Sequence, residues 1–215
     1  MTESQLFIIA ATGLLSGAES LIAPELRYAF LQDTLAMARS LPPNSRISVA
    51  VAINSADLPE ITLADTPTFT LAGDSAKKRL NQMFEYGFAR NADSVCIVGP
   101  GTPHLPAAYV LEAFGRLIRH RELIVIGPAD GSGIYLVGAS SRTPASLWEE
   151  ISFPAPNVLT EALERTLAHE LSVSLLPSIQ LIDTPEGLKR LSRDLRRGVA
   201  TAPHSQSLLR NTGLE

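Results

Sequence analysis

The sequence predicts an α/β protein, a three-layer α/β/α sandwich around a mostly parallel sheet. Three observations carry this. Short, continuous apolar runs recur along the chain, as strands buried on both faces require. Between them lie longer segments with apolar residues at helical spacing. The two kinds alternate, which is the pattern of strand–helix–strand units rather than of an all-β or all-α domain.

Taken in order, residues 6–11 form the first buried-type strand. Pro24 suits a first helical turn, and Leu26, Phe30, Leu31, Leu35 and Met37 give an apolar stripe up to about Ser40. Pro42-Pro43-Asn44 marks a turn, and 47–53 reads as the second strand. Residues 54–74 read as a loop with a short strand near 69–71. Asp74 or Ser75 can cap a helix whose apolar positions Leu80, Met83, Phe84, Gly87 and Phe88 give the clearest periodicity in the chain. A strand at 95–98, a Gly/Pro-rich loop at 99–106 and a helix carrying Val110, Ala113, Phe114, Leu117 and Ile118 follow. Strands are expected at 123–126, 134–137 and 173–176. Helices are expected at about 158–169 and from Pro185 through Leu188, Leu191 and Leu195. The boundaries imply a single domain over 1–197 and a loosely ordered tail over 198–215, where Gly, Ser, Pro and Asn occur with little periodicity.

Composition sets the outer limits. The 215 residues are 45% hydrophobic and 19% charged, sufficient for one substantial core. A formal net charge of −4 gives no global pointer to nucleic acid. One cysteine, Cys96, excludes an intrachain disulfide, and its apolar strand context reads as core packing. No apolar run approaches the roughly 20 residues of a membrane span, and no signal-peptide pattern opens the chain. The expectation is a cytoplasmic protein with no nucleic-acid partner.

In parallel sheets ligands sit beyond the carboxyl ends of the strands, so the loops at 11–23, 99–106 and 127–133 frame the candidate site. The stretch from Gly127 to Gly138 (Gly-Pro-Ala-Asp-Gly-Ser-Gly-Ile-Tyr-Leu-Val-Gly) is the most informative. Its glycines permit close approach of a ligand or of another part of the chain. It reads either as a ligand cradle or as a tight strand connection.

This stretch is similar to a G-P-A-x-D-G-G-Y-Y-L-I-G signature. Three further segments match in order: Gly99 to Pro106 (G-S-D-C-P-x-L-P), Asn157 to Arg165 (N-V-L-x-x-T-L-E-R) and Leu181 to Leu188 (D-x-D-T-P-E-D-L). Together they make the chain resemble the bacterial GT-A-type glycosyltransferase-like proteins known as radical-SAM/selenodomain-associated transferases, in the nucleotide-diphospho-sugar transferase superfamily. The resemblance covers about residues 6–195. It implies a GT-A fold, a nucleotide-sugar donor, an N-terminal basic loop gripping the diphosphate, and a divalent metal, Mg²⁺ or Mn²⁺, held by loop carboxylates. Cations stabilise the charge that develops on the leaving diphosphate.

The chain departs from this pattern at the charged positions. The basic loop P-V-P-G-R-V-K-T-R-L-A-P aligns with Gly13 to Pro24, where Gly17, Glu19 and Leu21 replace the three cations. Each charge-assisted hydrogen bond contributes about 1.5–3 kcal/mol, so losing three costs about 4–9 kcal/mol. Gly101 replaces the Asp of the middle loop. Gly131-Ser132-Gly133 replaces D-G-G, with Asp130 one residue early. Leu181 replaces the first Asp of D-x-D, leaving Asp183.

The candidate catalytic and metal-ligating residues are thus Asp130 and Asp183. The candidate donor-binding positions are Gly13, Gly17, Gly101, Gly131, Gly133 and His104. Two readings stand side by side: a nucleotide-sugar transferase with a rearranged site, and an inactive relative acting as a binding or scaffold protein with a protein partner. A nucleotidyltransferase-like activity is third. Lys77, Lys78 and Arg79, and likewise Lys189, Arg193, Arg196 and Arg197, read as solvated helix faces. Trp148 reads as core rather than sugar-stacking. His120, His169 and His204 read as surface residues. Asp183 or Thr184 is expected to cap the helix opened by Pro185.

Overall fold

The structure, a computed structural model, describes residues 4–11, 23–54, 63, 65–73, 75–130, 133–153 and 155–211. Seven strands form one sheet: β1 (Gln5–Ala10), β2 (Ile47–Asn54), β3 (Thr68–Leu71), β4 (Ser94–Val98), β5 (Leu123–Pro128), β6 (Ile134–Ser140) and β7 (Ser172–Leu175). Their order is β3-β2-β1-β4-β6-β5-β7. All pairings are parallel except those of β6 with β4 and β5. A short connection after β5 forces β6 to run back antiparallel, whereas a parallel neighbour needs a crossover. The chain moves outward from β1 to β3 and then returns to place β4 on β1's other side. The order therefore reverses between β1 and β4, and their carboxyl ends define the crevice where such sheets bind ligands.

Among the described residues seven α-helices accompany the sheet: α1 (Pro24–Arg39), α2 (Ala76–Phe88), α3 (Ala107–Arg119), α4 (Ser146–Glu149), α5 (Val158–Ala168), α6 (Pro185–Arg196) and α7 (Pro203–Asn211). Side-chain alternation sorts β1 between two cores: Leu6, Ile8 and Ala10 face one, Phe7 and Ile9 the other. The first core packs under α2, α4 and α5, with Trp148 stacked on Phe84 at 4.7 Å. The second packs under α1 and α3. This is the expected three-layer sandwich. Cys96 is fully buried, and burial pushes its thiol well above the usual range, so it is core as expected.

Helix ends follow local chemistry. Ser75 caps α2, its hydroxyl accepting from the Lys78 amide at 3.4 Å; Asp74, the other expected cap, lies outside the described residues. Thr184 caps α6, accepting from Gly187 at 3.1 Å, with Pro185 in the first turn.

The tail departs from expectation. Residues 203–211 form α7, which packs on α1 through a third cluster containing Leu26, Phe30, Ile182, Leu191, Leu195 and Leu209. Its cap comes from a residue 171 positions away. Buried Asp33 accepts from the amides of His204 (2.8 Å) and Ser205 (2.9 Å) and from the Ser205 hydroxyl. A cap supplied across the fold leaves no local trace in sequence, which is why the sequence pattern of this segment gives no helix.

Candidate functional site

Three segments meet at the carboxyl end of the sheet: the β4–α3 loop, the β5–β6 connection and the run leading into α6. The Ile182 amide donates to the Gly101 carbonyl at 2.8 Å, stitching the first to the third. The Asp130 amide donates to the Ile179 carbonyl at 3.0 Å, and Ala129 bridges Ile179, stitching the second to the third.

Leu181 lies at the junction. A Cβ built on Gly101 would stand 3.2 Å from its Cδ2, and one on Gly133 would stand 3.1 Å from its Cδ1. Both glycines are thus in contact range of one aliphatic side chain. Ile182, next to it, is buried in the third cluster, whereas Leu181 packs on the second. Two positions where the family pattern carries carboxylates, 101 and 181, are here a glycine and a leucine packed together.

The remaining acids lie around this contact. Asp130 accepts from the Ser178 hydroxyl at 2.8 Å, and its other oxygen is 3.9 Å from the Arg190 guanidinium. Both members of that ion pair are about half exposed (51% and 53%), so its contribution to stability is small. Burial pushes the Asp183 carboxyl up from its ordinary range, against a hydrogen bond from its own backbone. Among the described residues, no group of three or more His, Cys, Asp or Glu side chains is arranged to hold a metal. Hard divalent cations need several oxygen ligands. With an apolar side chain between the loops, the described residues do not fit Mg²⁺ or Mn²⁺.

His104 sits half-buried in the β4–α3 loop. Burial lowers its pKa, and the Asp194 carboxylate partly offsets this. Its Nδ1 and the hydroxyl of fully buried Thr102 have no hydrogen-bond partner among the described residues. Two unmet polar atoms in one loop suit a polar ligand or ordered water.

Of the sequence-predicted residues, the structure therefore brings Gly101 and Gly133 together around Leu181, with Asp130, Asp183 and His104 on the flanking segments. Gly13, Gly17 and Gly131 lie outside the described residues, as do Glu19 and Leu21. Gly127, which opens the signature stretch, serves packing. A Cβ there would fall 2.4–2.7 Å from the Tyr135 ring. Tyr135 is fully buried and donates to the Pro177 carbonyl at 3.1 Å, and burial raises its phenol far above the usual range. The sequence reading missed Arg190 and Ser178. Arg190 stands three positions before Arg193 on the basic side of α6, so helical spacing alone could have flagged it.

The architecture and the switch-point crevice define the class: a nucleotide-diphospho-sugar transferase fold. The chain belongs to the family described as "Uncharacterized protein conserved in bacteria (DUF2064)", which matches residues 35–154, more than half its length. Among solved structures, it is similar to a protein from Desulfovibrio desulfuricans G20 provisionally named a nucleotide-diphospho-sugar transferase. That match has a TM-score of 0.79 and 22% identity, and covers 99% of this chain and 97% of that one. A manganese complex of Rv0371c from Mycobacterium tuberculosis H37Rv matches with TM-score 0.55 and 13% identity, over 89% and 98% of the two chains. A CMP:2-keto-3-deoxy-manno-octonic acid synthetase complexed with CTP matches with TM-score 0.59 and 13% identity, over 91% and 100%. No curated protein matches the sequence. At these identities the likeness establishes the fold. No helix among the described residues is long and apolar enough to cross a membrane.

Proposed function

We propose that this chain is a transferase-fold protein without metal-dependent transfer, which binds a nucleotide or nucleotide sugar at the switch-point crevice. The observation that carries the proposal is the contact of Leu181 with Gly101 and Gly133, which puts an apolar side chain where the family pattern has carboxylates. The unmet Thr102 hydroxyl and His104 Nδ1 support a polar ligand in the same loop. A nucleotidyltransferase reading, which the CTP-bound neighbour suggests, would draw on the same carboxylates if metal-dependent and is weakened equally.

A second reading has one observation in its favour. Arg190 reaches toward Asp130 at the rim of the site, so a basic group stands beside one remaining acid. In that reading Arg190 neutralises the donor phosphate in place of the lost N-terminal cations, and Asp130 and Asp183 share the metal.

A thermal-shift panel of nucleoside triphosphates, nucleoside diphosphates and nucleotide sugars, with and without Mn²⁺, separates the two. Ligand at 100 times its Kd stabilises the native state by about 2.7 kcal/mol. The proposal expects a rise in Tm that is the same with and without metal. A rise that appears only with Mn²⁺ overturns it in favour of the second reading. Absence of any rise at millimolar ligand overturns both.

A further inference from the structure

At the opposite pole of the sheet, where β5 and β7 begin, the surface holds a groove of about 810 Å³. Four arginines line it: Arg116, Arg119, Arg121 and Arg142, with His120 beside them and Glu122 the lone acid. Four cations against one lining carboxylate, with the Glu112 and Asp93 carboxylates set against two of the cations, leave the groove formally positive in a chain whose net charge is −4.

Helix electrostatics account for only part of this cluster. Arg116 and Arg119 lie in the last turn of α3, where cations offset the helix dipole. Arg121 follows the helix, and Arg142 arrives from the turn after β6, so the cluster is assembled from separate elements.

Two of the four already have work within the fold. Arg116 pairs with Glu112 and donates to the Ser174 hydroxyl (2.6 Å) and the Leu175 carbonyl (2.7 Å), which anchors it on β7. Arg121 lies 3.6 Å from Asp93. The other two, Arg119 and Arg142, are exposed and make no ion pair or side-chain hydrogen bond with the described residues. Guanidinium groups gathered on one concave surface repel one another, and a multiply charged anion relieves that repulsion. Arginine forks match phosphate oxygens in bidentate geometry.

The size and lining narrow the ligand. The volume falls in the range of small-molecule sites. Among the described residues no Phe, Tyr or Trp lines the groove, so it offers no large ring platform for a base, whereas its arginine forks are suited to phosphate oxygens. We infer that this groove is an anion site for a small, base-free phosphate compound of the diphosphate or phosphate-ester class, with Arg119 and Arg142 as the ligand-gripping residues. It lies at the far pole from the switch-point crevice, so the inference does not rest on the function proposed there.

Inorganic pyrophosphate, titrated calorimetrically into the full chain at constant ionic strength, tests this. Saturable binding is expected, weakened about tenfold or more in the Arg119→Ala/Arg142→Ala variant. Neither residue makes an ion pair or side-chain hydrogen bond with the described residues, so the unliganded variant should keep the parent Tm. Arg190→Ala, at the other pole, should leave binding unchanged. The inference is overturned by the absence of saturable heat up to roughly 10 mM pyrophosphate, or by equal affinity in the double variant and the parent. It is equally overturned if Arg190→Ala, and not the double variant, abolishes binding, because the anion then belongs to the crevice.

Discussion

Replacing Gly101 by alanine tests the packing at the centre of the candidate site. Two opposing effects set the outcome. Gly101 does not occupy the left-handed region, so alanine fits its backbone and reduces the freedom of the unfolded chain. Substitutions of that kind stabilise by about 0.4–1 kcal/mol. Against this, the new methyl would stand 3.2 Å from Leu181 Cδ2, closer than ordinary carbon–carbon contact at about 3.5–4.0 Å. Overpacking costs about 1–3 kcal/mol, and the low end applies because the opposing atom is the tip of a side chain. The net expectation for Gly101→Ala is a destabilisation of up to about 0.6 kcal/mol. In a Leu181→Ala background the crowding atom is gone, and the next nearest atoms, the Ile182 amide nitrogen and carbonyl oxygen, stand 3.9 and 4.0 Å away, in ordinary contact. There the same substitution should stabilise by roughly 0.5 kcal/mol, so the effect changes sign. Urea unfolding of the four proteins, read from midpoints at constant m-value, gives the coupling, expected to be about 1 kcal/mol. Additivity of the two substitutions would refute the contact, and with it the observation on which the proposed metal-independent binding rests.

Two other expectations follow from buried polar groups. Asp33→Ala removes the acceptor that caps α7 and leaves the buried amide and hydroxyl of Ser205 without their partner. A loss of about 2–4 kcal/mol is expected, with faster hydrogen exchange confined mainly to α7 and the facing side of α1; unchanged exchange in α7 would refute the anchoring role. His104 has a lowered native pKa, so its neutral form is favoured in the fold. Its contribution is therefore full above the unfolded value of about 6.5 and is lost as pH falls through the lower native value. Urea midpoints should decline between pH 7.5 and 5 more steeply in the parent than in His104→Asn, and equal slopes would count against a buried neutral imidazole.

What the sequence makes legible divides along physical lines. The inner strands β1, β4, β5 and β6 are visible because a strand buried on both faces must be a nearly unbroken apolar run, the half-exposed edge strands β3 and β7 carry a weaker alternating signal, and α2 is visible because its stripe faces a single core. Three features are not visible. The short α4 spans less than two turns, too brief for periodicity. The order of α7 depends on Asp33, a residue far away in sequence. Gly127 looks like part of a ligand cradle until Tyr135 is seen lying against it. At the candidate site, the absence of carboxylates at 101 and 181 can be read from the sequence, but not the fact that the residues replacing them touch. The basic groove is the least legible feature, since its arginines come from a helix end and two separate turns and form no local motif.

The way the carboxylates are replaced bears on what the site has become. Had two acids simply been removed from a metal site, the expected remainder would be a cavity or a surviving acid left without its cation. Here the large residue at 181 fills the space next to the smallest at 101 and 133. Asp130 is engaged by Ser178 and Arg190, so it does not depend on a metal for compensation. The neighbouring Ile182 anchors the same segment in the cluster formed by α1, α6 and α7, which places the long-range cap at Asp33 and the packing of Leu181 on connected elements. Returning a carboxylate to position 101 would require moving Leu181, and with it a segment held on one side by the Gly101 carbonyl and on the other by that cluster. The apolar junction is built into the support of the site, so single substitutions toward the family pattern should cost stability before they gain any affinity for metal.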